Sequence, residues 1–190
     1  MRRSGATLSV ATGLLAAATL FSLLSGPSRS FAAEEPTILT IAGENVSVNR
    51  PVFEAFNDAF FAFSDNAFTN GHSLTASDLR ALPQVEITAA AEGWTKKITA
   101  KGPRLSDVLK KAGVADGATV GLVALDGYAV TLDPVERKTR DWVLAIEADG
   151  EPLGIGGRGP AWLMYESGEA PISSDDEALW VWSVYLITVD

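Results

Sequence analysis

The second half of the chain alternates short apolar segments with turn residues, and this pattern narrows the possible folds more than any other feature. The segments TVGLVALDGYAVTLD, DWVLAIEADGEPL, GPAWLMYE and LWVWSVYLITVD are interrupted by Asp-Gly or by Gly and Pro at residues 126–127, 149–150 and 156–160. Apolar runs of this length, separated by such turns, predict a series of strands. Because helical patterns come earlier, we expect an α+β domain with a mixed or antiparallel sheet.

The first half begins with a strand pattern, TILTIAGENVSVN, which alternates apolar and polar residues from Thr37. The following stretch, RPVFEAFNDAFFAFS, repeats phenylalanine at spacings of three and four. This spacing predicts an amphipathic helix over residues 52–63 with a buried aromatic stripe, formed by Phe53, Phe56, Phe60, Phe61 and Phe63. The pattern does not decide whether this helix packs on its own domain or across a dimer.

Two short helices and one strand are predicted next. TNGHSLTASDLRALP indicates a turn and a helix with Thr75 or Ser77 as N-cap and Leu79 facing the core. QVEITAAAEG alternates as a strand would. RLSDVLKKAGV indicates a second helix, with leucine and valine facing inward and Gly113 as its stop.

Residues 1–32 are predicted to be a signal peptide. Arg2 and Arg3 precede an apolar run, and Ser30 and Ala32 are the small residues that a signal peptidase reads. Cleavage after Ala32 would leave a periplasmic or secreted protein without a membrane span. An uncleaved membrane anchor and export by the twin-arginine route stay open as alternatives.

The chain that remains after this cleavage is strongly acidic, which limits its partners. The predicted signal peptide contains three arginines and no acidic residue, so 12 basic residues face 24 acidic ones in the remainder. A surface of this charge repels nucleic acid backbones and anionic membranes. We therefore exclude nucleic acid as a partner.

The residue types exclude several kinds of catalytic site. With no cysteine and a single histidine, His72, the chain has no thiolate nucleophile, no redox dithiol and no common zinc site. No Gly-x-Ser-x-Gly motif supports a hydrolase, and His72, in NGHS, is interpreted as an exposed turn residue. The acidic run SSDDE, residues 173–177, lacks the spacing of a calcium loop and is interpreted as a solvated loop.

Seven segments, in their order along the chain, resemble the molybdopterin-binding domain of the sulfite oxidase family. They are LRALPQVEI, TAAAEGW, GPRLSDVLKKAGV, LDGYAVTL, LAIEADGEPL, RGPAWLMYE and WVWSVYLITV. The similarity is to a small bacterial periplasmic branch related to the catalytic subunit of periplasmic methionine sulfoxide reductase. It covers residues 74–190 and implies a mixed, curved sheet with peripheral helices around a pterin cofactor. Residues 33–73 would add an N-terminal strand and the Phe-rich helix, packed on this domain.

One position departs from the pattern of this family. The resemblance implies that active members bind molybdenum through a cysteine in a Cys-x-Glu/Thr-x-Trp pattern. Residues 90–94 are AAEGW, so Glu92 and Trp94 match the pattern and Ala90 stands in place of the cysteine. A methyl group cannot replace the soft sulfur donor that this metal needs.

The resemblance also suggests which residues line a remnant of the cofactor cleft. The candidates are Ala90, Glu92, Trp94, Lys96, Arg104 and Arg158. Arg104 directly precedes a predicted helix, where an anion would meet free backbone amides. Arg158 lies in GIGGRGP, whose glycines would let the backbone approach an anion closely. Each also has a plainer interpretation, Glu92 as a turn acceptor and Arg158 as part of a flexible connection between strands.

Two classes of function remain. We favour an exported protein with an oxidoreductase-type fold that has lost molybdenum redox catalysis and binds a small anionic ligand or a periplasmic protein. The alternative is a molybdopterin-dependent oxidoreductase that holds its cofactor without a cysteine ligand. Under the favoured hypothesis we expect no cofactor, no metal and no catalytic residue. A cleft lined by Lys96, Arg104 and Arg158 would favour an anion, whereas exposed Trp180 or Trp182 would favour a protein.

Overall fold

The computed structural model describes Met1 and residues 35–190. The predicted signal peptide, residues 1–32, therefore lies outside the described residues except for Met1. The chain divides into two units, Met1–Ala33 and Glu34–Asp190, and the fold is that of the second unit. Within the described residues, no helix is both long enough and apolar enough to cross a membrane.

Eleven strands and five short helices follow one another in residues 35–190. The strands are β1 (Thr37–Gly43), β2 (Gly71–Thr75), β3 (Gln84–Ala89), β4 (Ile98–Pro103), β5 (Val120–Ala124), β6 (Ala129–Leu132), β7 (Val143–Ala145), β8 (Glu147–Ala148), β9 (Glu151–Pro152), β10 (Trp162–Met164) and β11 (Val184–Val189). The helices are α1 (Ala59–Phe63), α2 (Ala76–Ala81), α3 (Leu105–Lys111), α4 (Glu136–Thr139) and α5 (Ser174–Glu177).

The largest sheet is five-stranded and mixed. Its order is β2-β1-β11-β5-β6, and β1 pairs with β11 in parallel while its other pairs are antiparallel. The predicted α+β class with a mixed sheet is therefore confirmed. Because β1 lies between β2 and β11, the N-terminal strand is an interior member of this sheet.

Two smaller sheets complete the fold and carry the candidate site. One has the order β3-β4-β8-β9, and the other pairs β7 with β10. Strand β4 runs close to β7 at Gly102, where a Cβ atom would overlap the carbonyl group of Leu144. Only glycine permits this close approach, which brings β3 and β10 into one continuous core.

The helices α2 and α3 match their sequence patterns. Thr75 caps α2 through a reciprocal pair of hydrogen bonds with Asp78, and Leu79 is buried. Helix α3 buries Leu105, Val108 and Leu109 and ends before Gly113. Helix α2 agrees with the sequence because a capping box precedes a buried leucine, and α3 agrees because an apolar face is followed by a glycine stop.

The prediction of a buried Phe-rich helix over residues 52–63 is wrong in both length and burial. Helix α1 spans only Ala59–Phe63 and buries none of its residues. Phe56 and Phe63 are 87% and 88% exposed. Phe53 and Phe61 pack edge-on against Phe68, and Phe60 packs edge-on against Tyr185, so the segment contributes part of its stripe to the domain.

Two local interpretations also need correction. His72 is not an exposed turn residue: it lies in β2 and is only 9% exposed. The run SSDDE is not a loop throughout, because Ser174–Glu177 form α5 with Ser173 as its N-cap. Three acidic residues in the first turn favour this short helix through its dipole.

Candidate functional site

The Ala90 turn, residues 90–94, begins where β3 ends. Ala90 is only 3% exposed, and its neighbours Ala89 and Ala91 are buried as well. The segment 167–172 covers this turn. The Ala90 amide donates to Ser167 Oγ at 3.0 Å, and the Ala90 carbonyl accepts from the Ile172 amide at 3.0 Å. The position predicted to have lost a metal ligand is therefore packed and hydrogen-bonded on all its polar groups.

Glu92 and Trp94, the two other residues of the pattern, have surroundings that differ from those of Ala90. Glu92 is exposed, and its amide donates to the Ile172 carbonyl at 2.9 Å. The indole Nε1 of Trp94 donates to Glu177 Oε1 at 2.7 Å. The Trp94 ring packs against Trp162 and Trp180, at centroid distances of 5.6 and 5.7 Å. Trp94 thus leads from the buried turn into an aromatic cluster.

Arg158 lies between β9 and β10, in the glycine-rich segment, and its backbone is held in place. The Arg158 carbonyl accepts from the Ser183 amide at 2.9 Å, and the Gly159 amide donates to Gly154 O at 3.1 Å. A Cβ atom on residue 159 would overlap the backbone of Leu153, so glycine is required there. The side chain of Arg158 therefore starts from a fixed backbone position.

The guanidinium of Arg158 lies over two indole rings. Its Cζ is 4.3 Å from the ring centroid of Trp162 and 5.0 Å from that of Trp94. None of the seven ion pairs within residues 35–190 includes Arg158. Cation–π contact stabilises the charge without neutralising it, so this exposed arginine still carries an uncompensated positive charge.

The Leu153 cavity, of about 510 Å³, lies on one side of Arg158. It is lined by Gly93, Trp94, Thr95, Lys96, Ile98, Ala148, Asp149, Leu153, Arg158 and Trp162. Lys96 forms an ion pair with Asp149 at its rim. The hydrogen bond from Lys96, followed by that from the Thr99 amide, lowers the pKa of Asp149 below its ordinary value. Two cations therefore face one carboxylate here, in a protein whose net charge is −9.

The Trp182 cavity, of about 540 Å³, lies on the other side of Arg158. Its walls are Asp126, Tyr128, Arg158, Trp162, Ser174, Glu177, Ala178, Trp180 and Trp182. Two carboxylates face the single cation, which reverses the balance of the Leu153 cavity. Trp182 is 43% exposed, whereas Trp180 is 3% exposed. Of the two tryptophans whose exposure would favour a protein partner, only Trp182 is exposed, and both residues precede β11 rather than lie in it.

Arg104 lies apart from these cavities. It is the N-cap residue of α3, and its Nε donates to Asp141 Oδ1 at 2.8 Å. This hydrogen bond, followed by the charge of Asp141, raises the pKa of Arg104. Arg104 lines neither the Leu153 nor the Trp182 cavity. Of the six candidates, Trp94, Lys96 and Arg158 meet in one cavity, and Ala90, Glu92 and Arg104 do not line it.

His72 makes a hydrogen-bonded pair with Ser47, but its geometry does not suit a nucleophile. The His72 Nδ1 lies 2.7 Å from the Ser47 carbonyl oxygen and 3.1 Å from Ser47 Oγ. The carbonyl can only accept, so Nδ1 carries the proton and cannot take one from the hydroxyl. The pair ties residue 47 to β2.

Several residues of the Leu153 cavity were not found by sequence reasoning. Ile98, Leu153 and Trp162 line it, yet each has only the apolar pattern of a core residue. Asp149 had one local indication, its place before Gly150 in a turn, which says nothing about a cation across the sheet. The pairing of β4 with β8 brings Ile98 near Asp149, and the pairing of β10 with β7 places Trp162. Neither pairing has a local signature.

No protein-family model matches the sequence, and no curated protein matches it. Among solved structures, the chain is similar to the sulfane dehydrogenase SoxCD from Paracoccus pantotrophus, with a TM-score of 0.52 and 20% identity. The match covers 80% of this chain and 37% of that one. The chain has a sulfite oxidase-type fold. It spans well under half the length of the protein it matches, so the likeness concerns the fold and not the activity.

A fold of this type implies a molybdenum pterin cofactor, and the residues at the expected ligand position do not fit the metal. The Ala90 side chain is a buried methyl between two other buried alanines. The described residues contain no group of three His, Asp or Glu side chains that could hold a metal ion instead. Molybdenum therefore has no protein donor at the end of β3.

Proposed function

We propose that this protein is an exported binding module on a sulfite oxidase-type fold and that it has lost molybdenum redox catalysis. The observation that carries the proposal is the state of the Ala90 turn. No cysteine occurs in the chain, and Ala90 is buried beneath the segment 167–172 and lines neither cavity beside Arg158. A metal at this position would lack both a donor and space.

Binding is the activity that the remaining polar groups support. Arg158, Lys96 and Trp94 converge on a cavity whose volume is typical of small-molecule sites. These residues present a positive charge and aromatic faces, which recognise ligands without chemical change. Under this proposal the loops around the former cofactor cleft act as a recognition surface in the periplasm or outside the cell.

The alternative function is a molybdopterin-dependent oxidoreductase that leaves molybdenum without a protein ligand. The fold favours it, because the similar solved structure is named as a dehydrogenase. Arg158 also favours it to a degree, since an unpaired arginine suits the phosphate of a pterin cofactor. The buried Ala90 turn argues against it, because the cofactor would have to displace the segment 167–172.

The two functions are separated by purifying the protein from a host that makes molybdopterin and measuring molybdenum and pterin per chain. We expect neither in stoichiometric amount. The matched variant Ala90→Cys restores the sulfur donor, and we expect it to stay free of molybdenum because residue 90 is covered. Stoichiometric molybdenum in the unmodified protein would overturn the proposal. Molybdenum in Ala90→Cys alone would show that the cleft is open, and the argument from burial would fail.

A further inference from the structure

We infer that the Leu153 cavity binds a small organic monocarboxylate, with the carboxylate on Arg158 and the apolar body against the aromatic and aliphatic wall. This inference rests on the proposed function and names the ligand class of that binding module. The cavity is lined by residues of the Ala90 turn, of β4, β8 and β10, and of the segment between β9 and β10.

The arginine is arranged to receive an anion. Its Cζ lies over the rings of Trp162 and Trp94, at 4.3 and 5.0 Å from their centroids, so two aromatic rings hold the cation beside the cavity. A guanidinium can bind a carboxylate through two parallel hydrogen bonds. Because no ion pair in residues 35–190 involves Arg158, a ligand carboxylate would have no competing acidic side chain to displace.

The charge of the cavity fits one negative charge. Lys96 is the second cation at its rim, but Asp149 already forms an ion pair with it. The net charge that the cavity presents to a ligand is therefore +1, and Arg158 supplies it. A phosphate monoester carries up to two charges and is usually held by several donors, so a carboxylate is the better match.

The walls call for an apolar body on the ligand. Trp94, Trp162, Ile98 and Leu153 are its large apolar lining residues, and burying apolar surface against them gives binding free energy that a bare anion lacks. The volume of about 510 Å³ admits a molecule well above the size of acetate. The expected ligand class is an aliphatic or arylalkyl monocarboxylate.

The Trp182 cavity does not suit the same ligand. Asp126 and Glu177 line it and outnumber Arg158, so a carboxylate there would meet like charges. Arg158 forms part of the wall of both cavities, and the sign of the other charges selects the Leu153 side. Binding of a monocarboxylate should therefore depend on Arg158 and on the other residues of the Leu153 cavity, and not on Asp126 or Glu177 of the Trp182 cavity.

Isothermal titration calorimetry of the purified protein tests the inference, with octanoate and phenylacetate as ligands. We expect dissociation constants below about 1 mM for both. 2-Phenylacetamide and phenethylamine have the same body without the negative charge, and we expect both to bind at least about tenfold more weakly. Absence of octanoate and phenylacetate binding, equal binding of the amide, or tighter binding of inorganic phosphate would overturn the inference.

Variants assign the binding to Arg158. Arg158→Gln should weaken phenylacetate at least about tenfold, because a charged hydrogen-bonded pair is lost. Arg158→Lys keeps the charge without the planar donors, and its affinity for phenylacetate should lie between those of the native protein and Arg158→Gln. Arg80→Gln is the control, since Arg80 lies on α2 and lines neither cavity beside Arg158. The affinity of this variant for phenylacetate should differ from that of the native protein by less than about twofold. An unchanged affinity in Arg158→Gln, with an unchanged melting temperature, would overturn the assignment.

The failure of this inference can be told apart from a failure of the proposed function. Molybdenum is measured on the same preparation that is titrated. Stoichiometric molybdenum would contradict the loss of redox chemistry, whatever the titration gives. A molybdenum-free protein that does not distinguish phenylacetate from its amide would leave the proposed function in place and reject the carboxylate.

Discussion

Ala90 begins the Ala90 turn, and Trp94, at the end of the same turn, lines the Leu153 cavity. The two positions differ in burial, in charge and in hydrogen bonding. At the first end, Ala90 is buried, uncharged and hydrogen-bonded to the segment 167–172. Only four residues later, Trp94 lines an open cavity and carries the guanidinium of Arg158 on its ring. The comparison teaches that a fold can close the position of a metal ligand and still keep an open recognition site beside it.

The difference has a simple origin in residue type. Small alanine side chains let the segment 167–172 approach the end of β3, so that backbone groups satisfy one another there. The larger side chains of Trp94, Trp162 and Trp180 cluster with one another instead, and the two cavities lie beside this cluster. The predictions below alter one end at a time.

The largest effect is expected from Trp162→Ala. Trp162 is 2% exposed and contributes to both cavities, so its loss should lower the free energy of unfolding by about 3–5 kcal/mol. Trp182→Ala is the matched control, because Trp182 is 43% exposed. This substitution should lower the free energy of unfolding by no more than about 1 kcal/mol. Urea denaturation measures both. Similar costs for the two variants would contradict the assignment of Trp162 to the core.

The second effect compares the same substitution at the two ends. Ala90→Leu should destabilise the protein by about 1–3 kcal/mol, because the closed turn has no room for three more carbon atoms. Thr95→Leu places leucine at an exposed position on the cavity rim and should change stability by no more than about 0.5 kcal/mol. Thermal unfolding with calorimetry checks the pair. A neutral Ala90→Leu would mean that the turn is open.

A third change sharpens the comparison by raising affinity. Asp149→Asn removes the carboxylate that pairs with Lys96 and keeps the oxygen that accepts from the Thr99 amide. The freed lysine should strengthen phenylacetate binding by about two- to fivefold. Glu151→Gln, on the neighbouring β9 and outside the cavity lining, is the control and should have no such effect. A loss of affinity in Asp149→Asn would contradict the charge argument.

The smallest effect is a dependence on pH. The hydrogen bond from Lys96 lowers the pKa of Asp149 below its ordinary value of 3.8. A carboxylate whose pKa is lowered by folding stabilises the folded protein at pH values above its unfolded-state pKa. This stabilisation is lost as the pH falls through the folded-state pKa, where the carboxylate becomes neutral. The affinity difference between the native protein and Asp149→Asn should therefore be constant above pH 3.8 and shrink only below it. Octanesulfonate, which stays ionised, is the ligand for this titration, and a difference that closes near neutral pH would contradict it.

The fold was predictable where local signals agreed. Helix α3 combines an inward apolar face with a glycine stop, and β5 and β6 flank an Asp-Gly turn, so both follow from a few neighbouring residues. The Phe-rich segment had the helical spacing, but it faces only the small cluster of Ala42, Tyr185 and Leu186, and its Phe56 and Phe63 are exposed. Tertiary placement therefore overrode its periodicity.

The candidate site was predictable in part. The family pattern pointed to residues 90–94, and basic residue type pointed to Lys96, Arg104 and Arg158. Sequence could not separate Arg104 from Arg158, because the separation depends on the bridge between residues 104 and 143, which turns Arg104 toward Asp141. It also could not find Leu153, whose place in the cavity depends on the close approach of Gly159.

The central claim is that recognition chemistry lies at Arg158 and not at Ala90. The most direct measurement is a crystal structure of the protein with 4-iodophenylacetate, in which anomalous scattering locates the iodine. We expect an iodine peak in the Leu153 cavity, with the carboxylate within hydrogen-bonding distance of the Arg158 guanidinium. An iodine peak in the Trp182 cavity or beside Ala90, or a carboxylate that does not contact Arg158, would contradict it.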